Sequence, residues 1–119
     1  MNEVLLVEDD AEVRELVESA LEAKGLQVRS AASDVTAYDI LKQDAKSFSV
    51  LIADINLGSG TTGYDVARRA RQLNSKIAVV YISGPTALVD RFGVENAVMY
   101  PKPFRPAELA EQIEALVSG

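Results

Sequence analysis

The chain of 119 residues is 48% hydrophobic and 25% charged, which is typical of one soluble globular domain. Its formal net charge of −6 argues against direct binding to nucleic acid, and no apolar run approaches the roughly 20 residues of a membrane-spanning helix. The absence of Cys and His excludes thiolate catalysis, zinc–thiolate sites and an imidazole base.

The first predicted strand is the apolar run Val4–Val7, which ends in the acidic residues Glu8, Asp9 and Asp10. A helix follows, with Asp10 as the expected N-cap and Gly25 at the expected end. The side chains predicted to face the core from this helix are Val13, Leu16, Val17, Ala20 and Leu21.

The alternating run Leu26–Arg29 predicts a second strand that is half exposed and therefore lies at a sheet edge. Ser33 or Asp34 is expected to cap a second helix. The side chains predicted to face the core from this helix are Ala37, Ile40 and Leu41. The third predicted strand is Val50–Ala53, apolar on both faces, and it ends in Asp54.

The glycine-rich stretch Asn56–Gly63 predicts a loop before a third helix. The run Ile77–Ile82 predicts a fourth strand, Thr86–Phe92 a short helical patch, and Ala97–Tyr100 a fifth strand. Pro106 suits the first turn of the last helix. The side chains predicted to face the core are Val66, Ala67, Ala70 and Leu73 in the third helix and Leu109, Ile113, Leu116 and Val117 in the last helix.

This alternation of strands and helices predicts an α/β fold, a flavodoxin-like (βα)₅ doubly wound sandwich. We expect a parallel five-stranded sheet in the order 2-1-3-4-5, formed by a single domain over residues 1–119 with no output domain. The start Met1-Asn2-Glu3 lacks the pattern of a signal peptide, so we expect a cytoplasmic protein.

Polar residues follow four of the predicted strands where each strand ends. Ligands of such sheets bind outside the carboxyl ends of the strands, at the switch point between the first and third. Clustered carboxylates repel one another and require a raised pKa, a cation or both. Oxygen ligands without His or Cys favour Mg²⁺ or Mn²⁺. The residues brought to this edge are Glu8 and Asp9, Asp54, Ser83, and Lys102.

With these residues in place, the chain resembles a receiver domain of bacterial two-component signalling over essentially its whole length. The motifs that carry the resemblance are Val7-Glu8-Asp9-Asp10, Asp54, Ser83-Gly84 and Lys102-Pro103-Phe104. The resemblance implies a phosphoacceptor switch that assists its own phosphorylation and dephosphorylation and is no turnover enzyme. Asp54 would accept a phosphoryl group from a histidine kinase or a phosphotransfer protein.

The resemblance also implies the roles of the other residues. Asp9 would bind the metal directly, together with Asp54, and Glu8 through water, while the backbone carbonyl of Asn56 would complete the shell. Ser83 would hydrogen-bond a phosphoryl oxygen. Lys102 would neutralise the added charge, and its peptide bond with Pro103 would be cis.

Three features depart from the family's pattern. The loop after Asp54 is slightly longer than usual, with Leu57-Gly58 in place of Leu or Met followed by Pro. The segment 85–96 is short, which predicts a reduced fourth helix. Met99 stands at the position of the usual switch aromatic, and by strand alternation its neighbour Tyr100 should point to the other face.

Other functions remain open from the residues alone. A phosphatase of the haloacid-dehalogenase type would use an Asp nucleophile on the first strand, where Glu8 and Asp10 have the required spacing. A flavodoxin-type cofactor binder would need a phosphate loop that the acidic residues would repel. A receiver-like interaction module that is never phosphorylated is a further alternative, and a homodimer is possible.

Overall fold

The computed structural model describes residues 3–55, 62–83 and 94–118. Within them no helix is long and apolar enough to cross a membrane. The strands are β1 (Glu3–Val7), β2 (Gln27–Ala31), β3 (Phe48–Asp54), β4 (Ala78–Ser83) and β5 (Val98–Pro101). The helices are α1 (Ala11–Ala23), α2 (Asp34–Asp44), α3 (Gly63–Leu73) and α4 (Pro106–Ser118), and a 3₁₀ turn covers Ala45–Ser47.

The five strands form one parallel sheet in the order β2-β1-β3-β4-β5. This confirms the predicted fold class and strand order. The half-exposed β2 lies at an edge, and the continuously apolar β1, β3 and β4 lie inside. Such strands are central because helices cover both of their faces.

Side chains of successive strand residues point to opposite faces, which creates two separate cores. One core joins Leu5 and Leu51 of the sheet to Ala37 of α2 and Ala67 of α3. The other joins alternate strand residues to α1 and α4, and its fully buried members include Leu6, Ile52, Leu21 and Ile113. Met99 packs in the first core and Tyr100 in the second, so the prediction that they face opposite ways is confirmed.

The helix ends follow the predicted capping residues. Asp10 accepts hydrogen bonds from the backbone N–H groups of Glu12 and Val13, and Ser33 accepts one from Thr36. Gly25 follows α1 with a φ of 79°, a conformation that glycine adopts without steric cost.

The prediction that Leu16 faces the core is wrong. Its side chain is 53% exposed, whereas Val17 of the same helix is buried. Leu16 lies at the margin of the apolar stripe of α1, beside an open apolar groove lined by Pro103 and Phe104. A helical repeat identifies the middle of an apolar stripe better than its margins, because the margins meet solvent wherever the neighbouring element ends.

Several boundaries also differ from the prediction. The second strand begins and ends later than Leu26–Arg29, and β3 begins at Phe48. Gly63, predicted to be in a loop, is the first residue of α3 and follows the N-cap Thr62. The predicted helical patch Thr86–Phe92 and most of the loop that begins at Asn56 lie outside the described residues.

Tyr81 of β4 contacts both α3 and the segment that precedes β5. The residue is fully buried, and its ring contacts the ring of Tyr64 edge to face, with 5.1 Å between the centroids. Its hydroxyl accepts a hydrogen bond of 3.0 Å from the backbone N–H of Val94, which precedes β5. Burial raises the pKa of Tyr81 above its ordinary value, which keeps the hydroxyl protonated.

Gly63 allows α3 to start directly against the end of β3. Its N–H donates to the carbonyl oxygen of Ile55 at 3.1 Å. A Cβ at this position would lie 2.2 Å from the carbonyl oxygen of Asp54 and 3.0 Å from the Cα of Ile55. Both neighbours are backbone atoms, so no side chain can rotate to make room.

We therefore expect Gly63→Ala to lower the free energy of unfolding by about 3 kcal/mol or more, through overpacking against a fixed backbone. Gly25→Ala is the matched control, because a Cβ there meets no atom within 4 Å and costs only the strain of a positive φ, about 1 kcal/mol. Urea unfolding followed by circular dichroism measures both. Equal losses in the two variants would contradict the steric argument.

Candidate functional site

The sheet brings the predicted charged residues to one edge. Glu8 and Asp9 directly follow β1, Asp54 is the last residue of β3, and Lys102 directly follows β5. Strands β1 and β3 are neighbours in register, with Val7 opposite Ala53, so their carboxylates meet at the switch point of the sheet.

The three carboxylates form a tight cluster. One oxygen each of Glu8, Asp9 and Asp54 lies within 4.8 Å of the others. The Glu8 side chain is fully buried and Asp54 is 4% exposed, whereas Asp9 faces solvent. Lys102 enters this cluster, and its Nζ donates to Oδ2 of Asp54 at 2.9 Å and lies 3.6 Å from Oε1 of Glu8.

The carboxyl group of Glu8 is perturbed by its surroundings. Its pKa is raised from 4.5 to about 8, mainly by burial and in addition by the hydrogen bond and charge of the neighbouring Asp54. The backbone N–H of Asp10, which donates to Oε2 at 3.2 Å, and the charge of Lys102 act in the opposite direction but do not compensate. The ionised form of Glu8 therefore needs an additional positive charge.

Lys102 is held in its charged form. Burial lowers its pKa, but the hydrogen bond and charge of Asp54 and the charge of Glu8 outweigh this effect, so the pKa is raised overall. A single ammonium thus faces the two buried carboxylates, and the cluster retains excess negative charge.

The residues fit a small divalent cation. All three ligand groups are carboxylates, which Mg²⁺ prefers, and Mn²⁺ accepts the same set. Oε1 of Glu8 is buried and accepts no hydrogen bond from the part of the chain that is described. A metal ion or one of its bound waters would satisfy this oxygen and offset the excess charge.

The remaining predicted site residues have different outcomes. The Lys102–Pro103 peptide bond is cis, as the resemblance implied. Ser83 ends β4 with its backbone opposite Pro101, but its side chain lies outside the described part of the structure, as does Asn56. Asp10 serves as the cap of α1, which confirms that prediction and gives no support to a second catalytic acid of the dehalogenase type.

Comparison with known proteins identifies the family. Residues 4–114 match the response regulator receiver domain. The chain belongs to this family. The receiver domain is 30% identical to the response regulator receiver protein CpdR of Brucella abortus, an alignment that covers 98% of both chains.

Longer proteins and solved structures are also similar to this receiver domain. It is 31% identical to the aerobic respiration control protein ArcA of Escherichia coli K12, of which it spans 48%. The crystal structure of a response regulator receiver protein from Sinorhizobium medicae superimposes with a TM-score of 0.90 at 31% identity, covering 98% of this chain and 94% of that one. These similarities confirm the resemblance and the fold inferred from the motifs.

One residue beside the site was not predicted from the sequence. Arg14 of the receiver domain lies in the second turn of α1, and its Nη1 donates to the backbone carbonyl of Glu8 at 2.9 Å. Arg14 is not among the apolar residues from which the helix and its core-facing side were predicted. Its position four residues after the N-cap was the available signal, because helical side chains lean towards the N-terminus.

Replacing Glu8 with Gln should stabilise the metal-free receiver domain at alkaline pH. A carboxyl whose pKa rises on folding, here from 4.5 to about 8, costs stability progressively as the pH rises between these values. In EDTA near pH 8, we expect Glu8→Gln to raise the free energy of unfolding by about 1–3 kcal/mol, with a smaller gain near pH 5. Millimolar Mg²⁺ should reduce the gain.

Urea unfolding in EDTA and in Mg²⁺ measures this effect. Glu15→Gln is the control, since Glu15 is an exposed carboxylate on α1. If both variants changed equally at pH 8, burial of the Glu8 carboxylate would not limit stability.

Proposed function

We propose that the receiver domain is a Mg²⁺-dependent phosphoacceptor switch in which Asp54 accepts the phosphoryl group. The observation that carries the proposal is the contact of Lys102 Nζ with Asp54 Oδ2 at 2.9 Å beside the two further carboxylates of Glu8 and Asp9. A carboxylate is an effective covalent nucleophile for phosphoryl transfer. The Lys102 ammonium beside this nucleophile can offset the charge of a transferred phosphoryl group, a role that an acid cluster serving only as a helix cap would not require.

The transfer exchanges one phosphorus bond for another. A carboxylate oxygen of Asp54 bonds to phosphorus while the phosphorus–nitrogen bond of a donor phosphohistidine breaks, and the departing nitrogen keeps the electron pair. The phosphoryl group on Asp54 adds negative charge to an already anionic site. Mg²⁺ held by the carboxylates would supply positive charge to offset that of the phosphoryl oxygens.

Each charged residue of the chain then has a distinct part. Asp9 and Asp54 would hold the cation, Glu8 would act through water, and the backbone carbonyl of Asn56 would complete the shell. Lys102 stays charged and offsets the negative charge of the acyl phosphate. Ser83 donates a hydrogen bond to a phosphoryl oxygen, a contact that exists only in the modified state and can therefore shift a conformational equilibrium.

The partners proposed for this switch are a histidine kinase or phosphotransfer protein as donor and a further protein that reads the phosphorylated state. We do not propose nucleic acid or a membrane surface as a direct partner, because the chain is acidic. The proposed setting is the cytoplasm, and a homodimer of the phosphorylated form is compatible with this function.

We expect acetyl phosphate and Mg²⁺ to transfer one phosphoryl group to the wild-type chain and none to Asp54→Asn. Asp39→Asn, an exposed carboxylate on α2, is the control and should react like the wild type. Replacing Mg²⁺ with EDTA should slow the reaction by about tenfold or more. Intact-mass spectrometry and a phosphate-affinity gel measure the product.

Three outcomes would count against the proposal. An unmodified wild type would favour a receiver-like interaction module that is not phosphorylated. Full modification of Asp54→Asn would place the acceptor at another residue. Steady turnover of a phosphomonoester by the wild type would instead support a phosphatase.

A further inference from the structure

We propose that Arg14 is a positioning residue that sets the geometry of the metal ligands Glu8 and Asp9. The proposal rests on the metal-dependent function argued above. Arg14 reaches back from α1, and its Nη1 hydrogen-bonds the partly buried backbone carbonyl of Glu8 at 2.9 Å. A hydrogen bond from an ionised donor is shorter and stronger than one between neutral groups.

The guanidinium of Arg14 is directed at this carbonyl and not at an acid. No carboxylate oxygen within residues 3–55, 62–83 and 94–118 forms an ion pair with it.

The carbonyl of Glu8 belongs to the peptide plane that joins Glu8 to Asp9. A peptide unit is planar, so fixing its oxygen fixes the orientation of the whole plane and the direction in which the Asp9 Cα lies. The preceding plane is fixed as well, because the N–H of Glu8 donates to the carbonyl of Ala31 in β2 at 3.0 Å. Arg14 and β2 therefore determine the backbone conformation of Glu8 from its two sides.

The plane after Asp9 is also held. The N–H of Asp10 donates to Oε2 of Glu8 at 3.2 Å, and the Asp10 side chain is fixed as the cap of α1. Asp9 itself is exposed and is the one carboxylate of the cluster that approaches the metal position from solvent. Its ligand geometry thus depends on the two peptide planes beside it, and Arg14 holds the first of them.

Electrostatics and positioning predict opposite effects of removing Arg14. A cationic side chain near a metal site repels Mg²⁺, so loss of the charge alone would tighten Mg²⁺ binding. Loss of a group that orients metal ligands weakens binding, commonly by about 10- to 100-fold. The sign of the change in affinity consequently distinguishes the two roles.

The experiment is isothermal titration of the full chain with Mg²⁺, without a phosphodonor. We expect Arg14→Ala to raise the dissociation constant for Mg²⁺ by about tenfold, the lower end of the range for residues that orient a metal ligand. Arg14→Lys should recover part of the lost affinity. Arg69→Ala is the control, because it removes the same charge from an exposed position of α3 and should bind as tightly as the wild type.

Urea unfolding in EDTA accompanies the titrations. A merely structural role would lower the free energy of unfolding of Arg14→Ala but leave its Mg²⁺ affinity unchanged, and this result would overturn the inference. Tighter binding would overturn it too. If the alanine variant does not fold, Arg14→Gln replaces it, with the same expected weakening.

The two proposals fail in different ways. A wild type that does not bind Mg²⁺ would remove the metal-dependent function itself. A wild type that binds normally, with Arg14→Ala binding equally well, would remove only the role of Arg14.

Discussion

The concentration of negative charge at one sheet edge is the constraint on which the structure depends. Two like unit charges about 4 Å apart repel by about 4 kcal/mol at the effective dielectric constant of a protein surface, and this site holds three carboxylates around one ammonium. A protein that needs only stability gains nothing from such a cluster, because apolar side chains of similar volume would avoid the repulsion. Under the proposed function, a bound cation would offset the excess negative charge.

The fold makes this unfavourable arrangement possible by separating it from the cores. The strands bury their apolar side chains in two layers, and the charged groups of the site lie where β1, β3 and β5 end. Hydrogen bonds between the strands set the positions of these ends, so the backbone of the sheet determines where the site residues lie. Packing of the cores provides the stability that the charge cluster reduces.

Much of this could be predicted from the sequence. Continuous apolar strands identified the centre of the sheet, alternation identified β2 as an edge, and Asp10 and Ser33 were recognised as helix caps. Strand order then brought Glu8, Asp9, Asp54 and Lys102 together. Each of these inferences uses a local pattern with a single physical meaning.

Other features depend on contacts that no local pattern records. Leu16 shares the helical repeat of its buried neighbours, and only the position of the next element leaves it 53% exposed. The role of Arg14 depends on which carbonyl its side chain reaches, and Gly63 is required by the approach of the Asp54 backbone. Such contacts are set by tertiary geometry, so the sequence suggests the residue without its partner.

The environment of Tyr81 has a mechanical consequence. Its ring contacts Tyr64, its hydroxyl holds the N–H of Val94, and Met99 lies opposite it in the register of β4 and β5. A change of the Tyr81 side-chain rotamer about χ1 would break the hydrogen bond and separate the two aromatic rings at once. Tyr81 therefore links α3, through Tyr64, to the backbone at Val94 that precedes β5, so a change of rotamer at this one residue would act on both elements.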